Sequence, residues 1–198
     1  MAMTMEEMEK RLKKLEDWVE LNDLKNRYAK MCNDNHNDKL IPEIFSPDCA
    51  WIGSPDDPWG AASNREDYVK MFQAFQSQMD GNCLGHNISN GVIDIDEDGV
   101  HAKGHWHLFG AYKMLGGNGF LEQGFYDDDY VKIDEEGNLD PNGKWYIKTL
   151  RFKDNLVADP SKGWNSRDEL IQDLPADPEK DAKVEGSVVK DLREVFGA

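Results

Sequence analysis

The sequence predicts an α+β fold: a curved antiparallel sheet with helices packed on its concave face, together forming a cone around a pocket. Three observations predict it. A helical pattern fills residues 5–36, and a second amphipathic stretch runs from Asn64 to Met79. From Leu84 onward, strand alternation holds for four consecutive segments joined by glycine-rich turns.

In chain order, the first helix is marked by Met5, Met8, Leu12, Leu15, Val19, Leu24, Tyr28 and Met31, with Glu and Lys between them. Its first half is nearly heptad-like. That predicts a protruding extension over residues 1–20 which packs on a neighbouring subunit. The polar cluster Asn33 to Asp38 ends the helix. LIPEIF is a short helix, Ser46-Pro47-Asp48 a turn and CAWIG a short strand. Two prolines stiffen the loop that follows, and Trp59 on it is a candidate lid. Asn64 is the expected N-cap of the next helix, whose buried stripe is Tyr68, Met71, Phe72 and Phe75. The strands are LGHNISNGVIDI, VHAKGHWHLFGAYKML, FLEQGFYDDDYVKI and KWYIKTLRFKDN. The domain is expected to span residues 1–157. Residues 158–198, rich in proline and charge, read as an acidic tail with one terminal helix.

Composition narrows the function classes. A net charge of −16 without a basic patch excludes a phosphate-backbone partner. No apolar run is long enough to span a membrane, and the charged N-terminus lacks a signal-peptide core, so a cytoplasmic location is expected. Cys32, Cys49 and Cys83 lie far apart, in keeping with a reducing compartment.

Alternation sorts the strand residues. Val100, Ala102, Trp106, Leu108, Gly110, Tyr112 and Met114 share the inward face of their strand; His105, His107 and Phe109 point out. Glu122, Gly124, Tyr126, Asp128 and Tyr130 share a face of the next. On the last, Trp145, Ile147, Thr149 and Arg151 are expected inside. Phe109, Phe125 and Val131 on the outer face favour a homo-oligomer, a dimer or trimer. The His105/His107 pair lacks a third ligand, so no metal is expected. The Asp94–Gly99 stretch begins like a calcium loop but has His105 where a bidentate Glu belongs. Neither a phosphate loop nor a nucleotide fingerprint is present, and no cofactor is expected.

The helix ending LNDLKNRYAKM, the SPDCAW turn, the lone histidine in LGHN and the closing pair GFYDDDYVKID and GKWYIKTLRF together resemble the SnoaL-like branch of the NTF2-like superfamily, over about residues 12–155. The resemblance implies an NTF2-like cone and chemistry akin to the cofactor-free lyases of that branch, of the bile acid 7α-dehydratase and scytalone dehydratase type. Under it, Tyr28 falls at the helix tyrosine and His86 at the strand histidine. Counting forward from Tyr28 places the helix acid at Asn33. Counting back from Ser46-Pro47 places it at Asp34, which is the preferred candidate, with His36 in reserve. Gly110 stands where the bile acid type has an aspartate, and Tyr112 where the scytalone type has a second histidine.

The expected catalytic set is therefore His86 as general base, Asp34 orienting it, and Tyr28 as hydrogen-bond donor to a leaving or developing oxygen. Trp51, Trp106, Tyr112, Tyr126 and Arg151 are expected to line a pocket for a hydrophobic, ring-containing hydroxylated molecule, the expected partner. Dehydratase-type elimination is the favoured reaction. The alternatives are a retro-aldol release of formaldehyde from lignin-derived diarylpropanes, a ketosteroid-type isomerisation, and a non-catalytic ligand-binding module. In the last case His86 is a satisfied core histidine walled in by apolar side chains.

Overall fold

The computed structural model describes residues 3–53 and 60–160; Trp59 and the expected tail beyond residue 160 lie outside them. The elements are α1 (Met5–Asn33), a 3₁₀ turn (Asp38–Leu40), α2 (Ile41–Ile44), β1 (Phe45–Ile52), α3 (Arg65–Gln78), β2 (Met79–Ile95), β3 (His101–Met114), β4 (Gly119–Ile133) and β5 (Lys144–Ala158). This is the expected α+β plan. The strands form one sheet in the order β1-β5-β4-β3-β2, antiparallel except where β1 runs parallel to β5.

Local chemistry sets the helix ends. Thr4 and Glu7 form a reciprocal capping box at the start of α1. At its other end Asn35 and His36 both adopt φ of 51°, a left-handed conformation that stops the helix three residues short of the expected 36. Asn64 caps α3 through Asp67, and Tyr68, Met71, Phe72 and Phe75 are all buried, as the sequence pattern predicts.

Two irregularities differ from expectation. Ser46, Pro47 and Asp48 are part of β1, whose pairing with β5 is interrupted between Phe45 and Ala50; the expected turn is a distorted stretch of strand. In β5, Tyr130 pairs with Ile147 but Asp129 pairs with Thr149, so Lys148 is an extra residue. Such a bulge flips the alternation. Trp145 and Ile147 face the core, but beyond the bulge Leu150 and Phe152 do, and Arg151 points away to pair with Asp129 at 2.7 Å. On the outer face Phe125 packs between His105 and His107 and Phe109 is exposed, while Val131, expected to need a neighbouring subunit to cover it, is buried within the protomer.

α1 is tied to the sheet by polar anchors spaced eight residues apart, at positions 17, 25 and 33. Asp17 takes hydrogen bonds from Lys132 at 2.6 Å and from the Trp145 indole at 3.0 Å. Lys25, wholly buried, pairs with Asp128 at 2.8 Å. Asp128 also accepts from the Tyr130 hydroxyl at 2.6 Å, which in turn accepts from the Trp106 indole at 2.9 Å. Asn33 reaches β2. Before Asp17, no residue of α1 is buried.

Burying an ion pair gains little net energy, but removing one partner leaves a bare charge in the interior, at a cost of about 3–5 kcal/mol. Asp17→Ala strands the Lys132 ammonium. Urea unfolding should show a stability loss on the order of 3 kcal/mol. A loss under about 1 kcal/mol would show that Lys132 finds water or another partner.

Candidate active site

The inward faces of β2, β3 and β4 meet α1 and α3 around one cavity, with about 390 Å³ of space between atoms, the open mouth counted. Its walls are largely aromatic: Tyr28, Trp51, Phe72, Tyr112, Tyr126 and Phe152. Two histidines, His36 and His86, the Cys32 thiol and the Glu122 carboxyl stand among them.

His86 is the centre of the site. Its main chain is clamped by Asn33, whose side-chain oxygen accepts from the His86 N–H at 2.7 Å and whose amide donates to the His86 carbonyl at 3.1 Å. Its ring is clamped by two tyrosines. The Tyr112 hydroxyl lies 2.7 Å from Nδ1 and the Tyr126 hydroxyl 2.9 Å from Nε2. The Tyr28 ring stands edge-on to His86, 5.7 Å between centroids.

Register explains this convergence. Gly110 pairs with His86 on one side and Glu122 on the other, and Tyr112 lies two residues along the same face. The Tyr112 ring folds back over Gly110, where a Cβ would collide with it. Gly110 therefore gives the Tyr112 hydroxyl its route to His86.

Two further groups flank this trio. The Tyr28 ring stands edge-on to that of Tyr126, 5.7 Å between centroids, and Glu122 shares the lining with Tyr112 and acts on its hydroxyl electrostatically. Each tyrosine has one proton to donate. A charged Glu122 would draw the Tyr112 proton, and Tyr112 would then accept from His86. We therefore assign the imidazole proton to Nδ1. Nε2 then accepts from Tyr126. In that arrangement Tyr126, His86 and Tyr112 form one directed row of hydrogen bonds, with Tyr28 at one end and Glu122 at the other.

Burial sets the protonation states. It holds His86 well below the ordinary histidine range, aided by the fields of His36 and Lys25, so the ring is neutral. It raises Tyr28, Tyr112 and Tyr126 well above the ordinary tyrosine range and pushes the Cys32 thiol up to about 12. It pushes His36 down to about 4. The Lys25 ammonium sits 3.9 Å from the centre of the Tyr126 ring and 4.6 Å from that of Tyr28, beneath the site.

Of the expected residues, His86, Tyr28, Tyr112, Tyr126 and Trp51 come together here. Asp34 does not. It is exposed at the end of α1 and accepts from the Asn37 amide at 2.7 Å, because the helix end turns it outward. Asn33, the other count, is the residue that touches His86, and it holds the backbone rather than the ring. His36 lines the cavity against Phe72 and Phe75. Trp106 faces inward but lies across Gly91 and Gly104, away from the cavity lining, and Arg151 is on the other face. Sequence reasoning missed Glu122 and Lys25. Their signal was an ionisable residue at an inward strand position and a lysine between Leu21 and Tyr28 on the buried helix face. The His105/His107 pair lies outside, with His105 bonded to Asp127 at 2.6 Å. No cluster of metal-ligating side chains occurs among the described residues, nor any helix long and apolar enough to cross a membrane.

Residues 13–151 match the model of the SnoaL-like domain family, and the chain belongs to that family. Solved structures share the fold. A Novosphingobium aromaticivorans protein provisionally called a scytalone dehydratase is 20% identical, with a TM-score of 0.62 over 74% of this chain and 89% of that one. The hexachlorocyclohexane dehydrochlorinase LinA-type3 of Novosphingobium barchaimii LL02 is 14% identical, with a TM-score of 0.61 over 75% and 92%. An NTF2-like protein of Novosphingobium aromaticivorans with a cystatin-like fold is 13% identical, with a TM-score of 0.59 over 82% and 97%. No curated protein matches the sequence. At these identities the likeness establishes the fold alone.

Two predictions follow from the geometry. Gly110→Ala drives the Tyr112 ring off His86, and overpacking of this kind costs about 1–3 kcal/mol. A crystal structure of the variant should show the Tyr112–His86 hydrogen bond broken; an intact bond would contradict the role given to Gly110. His36 titrates near 4 when folded but at about 6.5 when unfolded. Between those values the unfolded chain binds the extra proton, so stability falls as pH drops, by on the order of 3 kcal/mol over that window. His36→Phe should flatten the pH dependence of urea unfolding there; an unchanged profile would contradict the assignment.

Proposed function

We propose that this protein is a cofactor-independent lyase that removes an oxygen leaving group from a hydrophobic, ring-containing hydroxylated molecule. One observation carries the reading: a buried neutral imidazole, hydrogen-bonded at both nitrogens, inside an aromatic cavity that also holds a carboxyl group. A neutral histidine has a lone pair with which to take a proton during the reaction, and a hydroxyl held above its ordinary pKa donates only as negative charge develops on its partner.

In this reading the substrate takes the place of the Tyr126 hydroxyl at Nε2. His86 takes a proton from carbon there, and the electrons of the C–H bond form the double bond as the C–O bond breaks. Tyr126 or Tyr28 gives its proton to the departing oxygen, so the products are an alkene and water. The imidazolium is stabilised through Nδ1–H, Tyr112 and Glu122, and its proton then restores the tyrosine. The similarity in fold to a dehydrochlorinase and a provisionally named dehydratase supports an elimination. A reducing, cytoplasmic setting suits the scattered cysteines, which are unpaired.

A second reading is a ligand-binding module, favoured by the fact that both nitrogens of His86 are engaged. The partners are hydroxyls rather than apolar groups, which weighs for chemistry. Mass spectrometry of the protein with hydroxylated steroids and diaryl alcohols separates the two. Loss of water is expected. His86→Ala and Tyr126→Phe should each lower kcat by about 10²-fold or more, and Glu122→Gln should lower kcat with little effect on KM. Loss of formaldehyde instead would move the protein to the deformylating lyases. Binding without turnover, equal in wild type and His86→Ala, would establish the binding module.

A further inference from the structure

We infer that the N-terminal half of α1 pairs with the same segment of a second copy of this chain, as a short parallel coiled coil. Met5, Met8, Leu12, Leu15 and Val19 follow one another at steps of three, four, three and four residues, the a and d positions of a heptad. They are 68%, 43%, 56%, 58% and 54% exposed, on a continuous helix whose first buried residue is Asp17. A soluble helix that leaves its whole apolar seam in water has a partner to cover it. The helix is capped at Thr4, and among the described residues none buries the seam.

Charge selects the occupant and its direction. In this heptad Glu9 and Glu16 hold e positions, and Arg11 and Trp18 hold g positions. A parallel pair brings each g residue next to the e residue five positions on in the other helix. Arg11 therefore meets Glu16 of the partner subunit, twice by symmetry. Trp18, 40% exposed, extends the apolar seam from its g position. An antiparallel pair would instead line Glu9 against Glu16 of the partner subunit, which like charges disfavour. The segment complements a parallel copy of itself.

Light scattering and sedimentation equilibrium on the full chain test this. The wild type should be a dimer or a higher even assembly. Leu12→Glu with Leu15→Glu should halve the assembly mass, or raise its dissociation constant at least about tenfold. Circular dichroism should be unchanged, because both leucines are exposed in the protomer. Arg11→Glu alone and Glu16→Arg alone should each weaken assembly, and the two combined should restore it. A monomeric wild type, as when another segment of the chain covers the seam, would overturn the proposal. So would an assembly indifferent to the leucine substitutions, or charge reversals that fail to compensate.

Discussion

The hydrogen bonds at the two ring nitrogens of His86 decide what the rest of the site is able to do. An imidazole in an aromatic cavity has lost its water, and the charged form is the one that suffers. Tyr112 and Tyr126 replace that water with two hydroxyls, one accepting and one donating, which suits the neutral ring. A hydroxyl adapts to either role. A carboxylate in the same place would instead favour the imidazolium and raise its pKa. The absence of Asp34 from the cavity therefore matters: the ring is kept neutral, and among the described lining residues the only carboxyl is that of Glu122, beside Tyr112.

Holding the ring demands that strand and helix agree in register, and α1 provides this. Asp17, Lys25 and Asn33 fasten it to β4 and β5, to Asp128, and to the His86 backbone in turn. Buried pairs of this kind contribute little net stability but tolerate few alternative alignments. A slip of the helix by one residue would leave two charges and the His86 amide without partners. The two anchors nearest the cavity also belong to the site, since Lys25 lies beneath the Tyr28 and Tyr126 rings.

Much of the fold was legible in the sequence because periodicity reports burial directly. The order of elements, the Asn64 cap, the stripe on α3 and the inward faces of β3 and β4 all follow from it, whereas His86 was singled out by the family resemblance. The misreadings have local causes. Arg151 was placed inside because alternation was carried through a bulge at Lys148 that nothing in KWYIKTLRF marks. Asp34 was preferred because one residue of slip at a helix end cannot be settled by counting, whereas the left-handed turn at Asn35 and His36 settles it. Trp106 is inward-facing yet remote from the cavity, since facing inward does not say which part of the interior is hollow. Glu122 and Lys25 were passed over because a charged residue in the interior is recognised only with its partner, and partners distant in sequence meet only in the fold.

The central claim is that His86 is neutral at physiological pH with its proton on Nδ1. Nitrogen NMR of the histidine side chains, followed from pH 8 down to pH 5, reads both properties at once. The His86 signal should keep the neutral Nδ1–H pattern across the whole range. A His86 ring that titrates near the ordinary value of about 6.5, or one protonated on Nε2, would contradict it and reverse the direction of the hydrogen-bond chain.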